Sequence, residues 1–178
     1  MQLLLFKGYA AGPAFNESGD GSNFLCLPDQ PQYKTYLDGL HAHQATGFIH
    51  GVQYGLWDDA THKNNPFTTS NLLEKAAACA VCYSGCRSTI VMIPAATQCP
   101  QYWTAEYAGY LMSESHGITH GDRKRSSYLC WDEAPEVVAD GGVNKDQSTV
   151  YPVEVKCGTL PCSKYITGRE LPCMVCSK

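Results

Sequence analysis

No stretch of this sequence approaches the roughly 20 consecutive apolar residues that a membrane-spanning helix requires. The best run, Ile90-Val91-Met92-Ile93, stops at Pro94 and reads as a core strand. Charge is scarce too: charged residues are 17% of the chain and the formal net charge is −4. That balance argues against a nucleic-acid partner, because binding to phosphates rests on clustered Lys and Arg. The one basic run, Arg123-Lys124-Arg125, is short and lies among Gly, Asp and Ser, the setting of a solvated loop. Catalytic signatures are missing as well. There is no Gly-x-Ser-x-Gly elbow, and Gly19-x-Gly21 is an isolated fragment with no dinucleotide fingerprint behind it. No catalytic residue is assigned, and an enzyme is the least supported class.

What the chain has in abundance is cysteine and turn formers. Ten Cys, 16 Gly and 10 Pro accompany a hydrophobic content of 44% in 178 residues, which describes a folded, loop-rich protein and not a disordered tail. An even cysteine count at this density reads as an oxidised framework of up to five bridges, which persists outside the reducing cytosol. The expected location is therefore secreted and extracellular, and all ten, Cys26, Cys79, Cys82, Cys86, Cys99, Cys130, Cys157, Cys162, Cys173 and Cys176, are taken as bridge candidates. The opening Met1-Gln2-Leu3-Leu4-Leu5-Phe6 lacks a basic n-region and a small-residue cleavage site, so the sequence reads as a mature or trimmed form. Asn16-Glu17-Ser18 is a glycosylation sequon in a Gly-rich loop, which makes Asn16 the candidate acceptor.

An internal repeat organises the chain. Lys7-Gly8-Tyr9 leads through a Gly, Ser and Asp loop to Asn23-Phe24-Leu25-Cys26-Leu27-Pro28-Asp29; Ala108-Gly109-Tyr110 leads through a similar loop to Ser127-Tyr128-Leu129-Cys130-Trp131-Asp132-Glu133. Gly51-Val52-Gln53-Tyr54-Gly55 pairs in the same order with Tyr151-Pro152-Val153-Glu154-Val155, and the halves close on Cys79-Ala80-Val81-Cys82 and Cys173-Met174-Val175-Cys176. Two repeats follow, 1–94 and 95–178, forming one compact unit with a pseudo-twofold. Cys99-Pro100 and Trp103 precede Gly109-Tyr110, and an equivalent in the first half would fall ahead of residue 1, leaving Cys86 as the substitute that keeps the count even. On this hypothesis Cys99 and Cys130 bond to Cys173 and Cys176 in unspecified order, Cys26, Cys79, Cys82 and Cys86 pair among themselves, and Cys157 and Cys162 close a local loop.

The fold class expected is all-β with minor helix. Nine short strands are read near 3–9, 23–27, 51–56, 80–83, 89–93, 106–111, 127–131, 150–155 and 173–176, from β-branched, aromatic and alternating apolar residues. One short helix is read from Ser70 or Asn71 as cap, Glu74 completing a capping box, then Leu72, Leu73 and 76–78.

Taken together, Gly8-Tyr9-Ala10-Ala11-Gly12, Asn23-Phe24-Leu25-Cys26-Leu27-Pro28, Val91-Met92-Ile93-Pro94, Tyr151-Pro152-Val153-Glu154, Cys157-Gly158-Thr159-Leu160-Pro161-Cys162 and Gly168-Arg169-Glu170-Leu171-Pro172-Cys173 resemble the C-terminal non-collagenous domain of short-chain, spongin-type collagens. More distantly, Cys99-Pro100, Trp103 and Gly109-Tyr110 resemble the C-terminal domain of type IV collagen, itself a tandem duplication. The resemblance implies an extracellular-matrix module that assembles with itself into trimers or larger oligomers, or with matrix glycans and proteins. The chain departs from the family in carrying no Gly-X-Y triplets, so it forms no collagen triple helix itself, in adding Cys86, and in lacking the Cys-bearing segment that usually opens the domain.

Ligand sites are read more thinly. Cys79-x-x-Cys82 and Cys173-x-x-Cys176 have zinc-ribbon spacing, but the apolar pairs between them favour strands over metal knuckles. His41-x-His43 and His116-x-x-x-His120, with His50 and His62, read as surface histidines. Asp20-Gly21-Ser22-Asn23, beside Glu17 and Ser18, offers the hard oxygens that calcium prefers but falls short of a full calcium loop, so no cofactor is expected. Asp58-Asp59 and Asp132-Glu133-Glu136 read as exposed acids. Tyr33, Tyr36, Trp57, Tyr102, Trp103 and Trp131 lie near polar residues and would suit stacking on sugar rings, which makes a secreted lectin on the same scaffold the alternative function.

Overall fold

The computed structural model describes residues 2–15, 21–34, 47–56, 64–115, 126–139 and 148–178. Nine strands make up its regular structure: β1 (Gln2–Gly12), β2 (Leu25–Pro28), β3 (His50–Tyr54), β4 (Ala78–Ser84), β5 (Ile90–Pro94), β6 (Thr104–Ser113), β7 (Leu129–Asp132), β8 (Ser148–Pro152) and β9 (Pro172–Ser177). Each overlaps one of the nine strands read from composition and alternation. The protein is all-β, and the described residues contain no helix.

The short helix expected at 70–78 is therefore corrected. Asn71 and Glu74 both take left-handed backbone angles, φ 57° and 59°, which interrupt right-handed helical winding. The chain turns there instead, with Lys75 N donating to Leu72 O at 3.0 Å, before entering the sheet at Ala76.

The strands run β2-β1-β3-β8-β6-β9-β5 along one curled sheet, with β4 also on β1 and β7 also on β6. Within it two groups share one register. Antiparallel pairing sets Gly8 opposite both Pro28 of β2 and Cys79 of β4; likewise it sets Gly109 opposite both Asp132 of β7 and Cys173 of β9. An irregularity between Leu4 and Phe6 recurs between Ala105 and Tyr107. Gly12 faces His50 on β3, and Ser113 faces Tyr151 on β8. The offset from Gly8 to Gly109 thus carries β1 onto β6 and β3 onto β8. Backbone hydrogen bonds repeat with it: Ala77 N to Val52 O at 2.9 Å matches Leu171 N to Val153 O at 3.0 Å. These registers align His50 with Tyr151, one residue from the Gly51-to-Tyr151 pairing read in the sequence. The difference matters, since a one-residue slip exchanges the two faces of a strand.

Gly8 and Gly109 explain why both groups curl. A Cβ on Gly8 would lie 1.7 Å from Leu27 O, and one on Gly109 would lie 1.6 Å from Trp131 O. Only glycine lets the neighbouring backbone cross so closely. This approach bends β2 toward β4 and β7 toward β9, where Cys26–Cys79 and Cys130–Cys173 staple them, both at Cα–Cα 5.7 Å.

The groups join through parallel pairing of β3 with β8, Val52 opposite Ser148 and Tyr54 opposite Val150. The core straddles this seam: Ala10, Val52, Tyr54, Leu56, Phe67, Leu72, Ala77, Met112 and Val150 pack together, with Phe24, Tyr110 and Trp131 against them. Burying each larger side chain contributes about 1.5–3 kcal/mol. Tyr54 is the cross-seam anchor. Its ring meets Trp131 edge-on at 5.8 Å, and its hydroxyl accepts from Trp131 Nε1 at 3.0 Å and donates to Glu136 O at 3.1 Å. Burial pushes the Tyr54 phenol up to about 12, although the Trp131 bond opposes the rise.

Candidate functional site

Four bridges close among the ten cysteines. Besides the two staples, Cys99–Cys176 ties the turn before β6 to β9, and Cys157–Cys162 closes a local loop over a sequence separation of 5. The order left open by the sequence is thereby settled: Cys99 joins Cys176 and Cys130 joins Cys173. Cys173 and Cys176 are an odd number of positions apart on one strand, so they point to opposite faces and take partners from different directions. Such bridges fit an extracellular location.

Cys82 and Cys86, placed among the bridged cysteines by the sequence reading, carry free exposed thiols. The register explains the first. Cys82 faces Leu4 as Cys176 faces Ala105, so Cys82 is the counterpart of Cys176. Among the described residues nothing in the first group stands where Cys99 stands in the second. Cys86 follows β4 in a turn, at φ 60°.

The environment of β4 differs accordingly. β9 has β6 on one edge and β5 on the other, from Ile90 opposite Ser177 to Pro94 opposite Cys173. Among the described residues β4 pairs with β1 alone. Residues 136–138 cover only its approach: Ala77 bridges to Val137, Val138 N donates to Ala76 O at 2.9 Å, and Ala78 N donates to Glu136 O at 3.4 Å. From Cys79 to Tyr83 the outer edge of β4 is uncovered among the described residues. On β1, which pairs along the other edge, Leu3, Leu4 and Leu5 are each more than half exposed, as is Tyr83 of β4 itself.

One side chain links the two groups at this end. Glu106, in the irregularity of β6, accepts from Ser84 Oγ at 2.9 Å and from Ser177 Oγ in a shorter bond. These two hydroxyls, ahead of Arg87, hold its carboxyl below the usual carboxylate range.

The other candidates separate. Cys79, Cys173 and Cys176 are committed to disulfides, so neither Cys-x-x-Cys pair offers two zinc thiolates. No group of three or more His, Cys, Asp or Glu among the described residues is placed to hold a metal ion. Of the calcium loop, Ser22 O accepts from Ser127 N at 2.9 Å and Asn23 Oδ1 from Ser127 Oγ at 2.8 Å, bonds that tie this loop to the strand entering β7. Glu17, Ser18 and Asp20, the acceptor Asn16, the His41 and His43 pair, His62, the His116 and His120 pair, Asp58, Asp59 and 123–125 all lie outside the described residues. Asp132 Oδ1 accepts from Ala134 N at 2.8 Å, shaping the turn after β7, while Glu133 and Glu136 are exposed. Of the stacking aromatics, Tyr33 and Tyr102 are exposed, Trp103 is half-buried, Trp131 bonds Tyr54, and Tyr36 and Trp57 lie outside the described residues.

An open depression of about 350 Å³ lies beside β9, lined in part by Lys164, Tyr165, Arg169 and Glu170, with no His, Cys or Ser in its wall. No helix of the described residues is long and apolar enough to cross a membrane. Comparison with protein-family models, with curated proteins and with solved structures found no match for this chain.

Proposed function

We propose that this protein is a secreted, non-catalytic extracellular-matrix module that acts by self-association or matrix assembly, as its resemblance to the spongin-type collagen C-terminal domain implies. The observation that carries the reading is the apolar end of the first strand group. Leu3, Leu4, Leu5 and Tyr83 stand 57%, 55%, 58% and 57% exposed together on paired strands, in a protein able to bury apolar side chains completely elsewhere. Large apolar side chains left exposed at one end of a strand pair are what an interaction surface would use. The shared register of the two groups supports reading them as a duplicated subdomain, which the resemblance also implies.

Native mass of the unreduced protein tests the reading, with the same sample rerun denatured. The expected result is a multiple of the 19.5 kDa chain under native conditions. A monomer at micromolar concentration counts against self-association. The exposed rings of Tyr33, Tyr102 and Tyr128 favour a second reading, a carbohydrate-binding protein on the same scaffold. A monomer that binds a glycan array would establish it, and silence on the array would sink it.

A further inference from the structure

We infer that the open depression beside β9 is a binding site for an acidic saccharide, a sugar unit carrying one carboxylate or sulfate among free hydroxyls. The inference rests on the carbohydrate-binding reading, which it deepens by naming a site and a ligand class, and it is independent of self-association.

Positive charge gathers here against the trend of the chain. Residues 155–170 carry Lys156, Lys164 and Arg169 against Glu170 alone, in a protein whose net charge is −4. Lys164 and Arg169 are exposed and line the one depression, and among the described residues neither cationic head has an ion-pair or hydrogen-bond partner. Two unpaired cations on one concave wall attract an anion. The Arg169 fork suits the paired oxygens of a carboxylate or sulfate, and Lys164 adds a point charge.

The segment that carries them is fixed before any ligand arrives. Cys157–Cys162 closes its first turn, Cys157 N donates to Thr167 Oγ1 at 3.2 Å, and Lys164 N and Tyr165 N both donate to Pro161 O at 3.0 Å. Gly168 N donates to Val155 O at 2.9 Å and Val155 N to Arg169 O at 3.0 Å, which clamps Arg169 beside a buried residue. Across the depression Ala95 N donates to Pro172 O at 2.8 Å. A frame held in this way loses less conformational entropy when a ligand binds.

The rest of the wall selects the ligand. The half-buried Tyr165 offers a ring and a hydroxyl, and Ile166 and Leu171 add apolar surface, which suits the C–H face of a sugar ring. The half-buried Glu170 has a carboxylate that only accepts when ionised, so it takes sugar O–H donors and repels a ligand that is anionic throughout, such as a polyphosphate. A neutral sugar would leave both cations unused. The volume of about 350 Å³ lies at the small end of ligand clefts, which run roughly 300–1,000 Å³, and sets the scale at a mono- or disaccharide.

The test is calorimetric titration of the intact, unreduced chain with four probes: a glucuronate-bearing disaccharide, a monosulfated disaccharide, their neutral parent and inorganic sulfate. At least one acidic disaccharide is expected to bind at least roughly tenfold more tightly than the parent or the free ion, and added salt should weaken it. The carboxylate and sulfate arms show which acid the site takes. Lys164→Ala and Arg169→Ala should each weaken that binding roughly threefold or more, and together at least roughly tenfold, at an unchanged melting temperature. Glu170→Gln should weaken the disaccharide while strengthening inorganic sulfate. Parent or free sulfate binding as tightly as the acidic disaccharides overturns the ligand class. Saccharide binding that ignores the Lys164 and Arg169 substitutions overturns the site and leaves carbohydrate binding standing through other residues. No heat from any probe up to about 5 mM overturns the site, and silence on the glycan array as well overturns the carbohydrate reading with it.

Discussion

β4 and β9 hold the same place in their groups, yet among the described residues one is half open and the other enclosed. Each runs antiparallel to a long strand across an irregularity, and each is stapled at its first cysteine. Beyond that point their surroundings diverge. Cys176 is fully buried, bonded to Cys99 and covered by β5, whereas Cys82 is a free thiol on an edge that no described strand covers. The bulge position diverges too: Glu106 in β6 accepts two serine hydroxyls, and its counterpart Leu5 in β1 is an exposed apolar side chain. One backbone plan can thus make a closed edge or an open one, according to what packs on its last strand.

Substitutions at matched positions sharpen the contrast. The largest difference is expected at the unmatched bridge. Replacing Cys99 and Cys176 together by Ala should cost about 2–5 kcal/mol in urea unfolding, because it releases a loop spanning a sequence separation of 77. Cys82→Ser, at the equivalent but exposed position, should stay within about 0.5 kcal/mol. Comparable losses from the two would mean that the positions are not as different as their burial indicates.

Gly8→Ala and Gly109→Ala should instead behave alike, each costing about 1–3 kcal/mol or more, since each added Cβ meets a backbone carbonyl. A loss at Gly109 alone would break the equivalence of the groups.

A smaller, opposite pair concerns the turn before each last strand. Glu74 at φ 59° stands where the second group places Gly168 at φ 82°. Thermal melts should show Glu74→Gly gaining, and Gly168→Ala losing, about 1 kcal/mol.

The smallest effect is at Glu106. Its folded-state pKa lies below its ordinary 4.5, so the stability it adds is present above about that pH and is lost as pH falls through the lower folded value. Glu106→Gln should therefore flatten the acid limb of the stability curve without altering its slope near neutrality, as read by melting temperature against pH.

Much of this was legible before folding. The nine strands follow from residue types that suit a pleated, half-buried surface, and the recurrence of Gly-Tyr, Leu-Cys and Cys-x-x-Cys words marks the matched strands. What was not legible depends on non-local geometry. The order of bonding at Cys173 and Cys176 depends on which face each sulfur takes, and the one-residue shift between β3 and β8 depends on pairing with β1 and β6. The helix read at 70–78 had suitable residues, but a neighbouring strand draws that segment in: Tyr54 N donates to Lys75 O at 3.0 Å and Glu74 N donates to Tyr54 O at 2.9 Å. Tertiary pairing overrides local helix preference there. The open edge of β4 had no sequence signal beyond an uncharged strand and an unmatched cysteine.

The most direct test of the account is a disulfide map of the native protein, alkylated before digestion and read by mass spectrometry. The account predicts Cys26–Cys79, Cys99–Cys176, Cys130–Cys173 and Cys157–Cys162, with Cys82 and Cys86 carrying the alkyl label. A bridge from Cys26 to Cys130, or Cys82 bonded to Cys99, would contradict the matched registers on which the comparison of β4 with β9 stands.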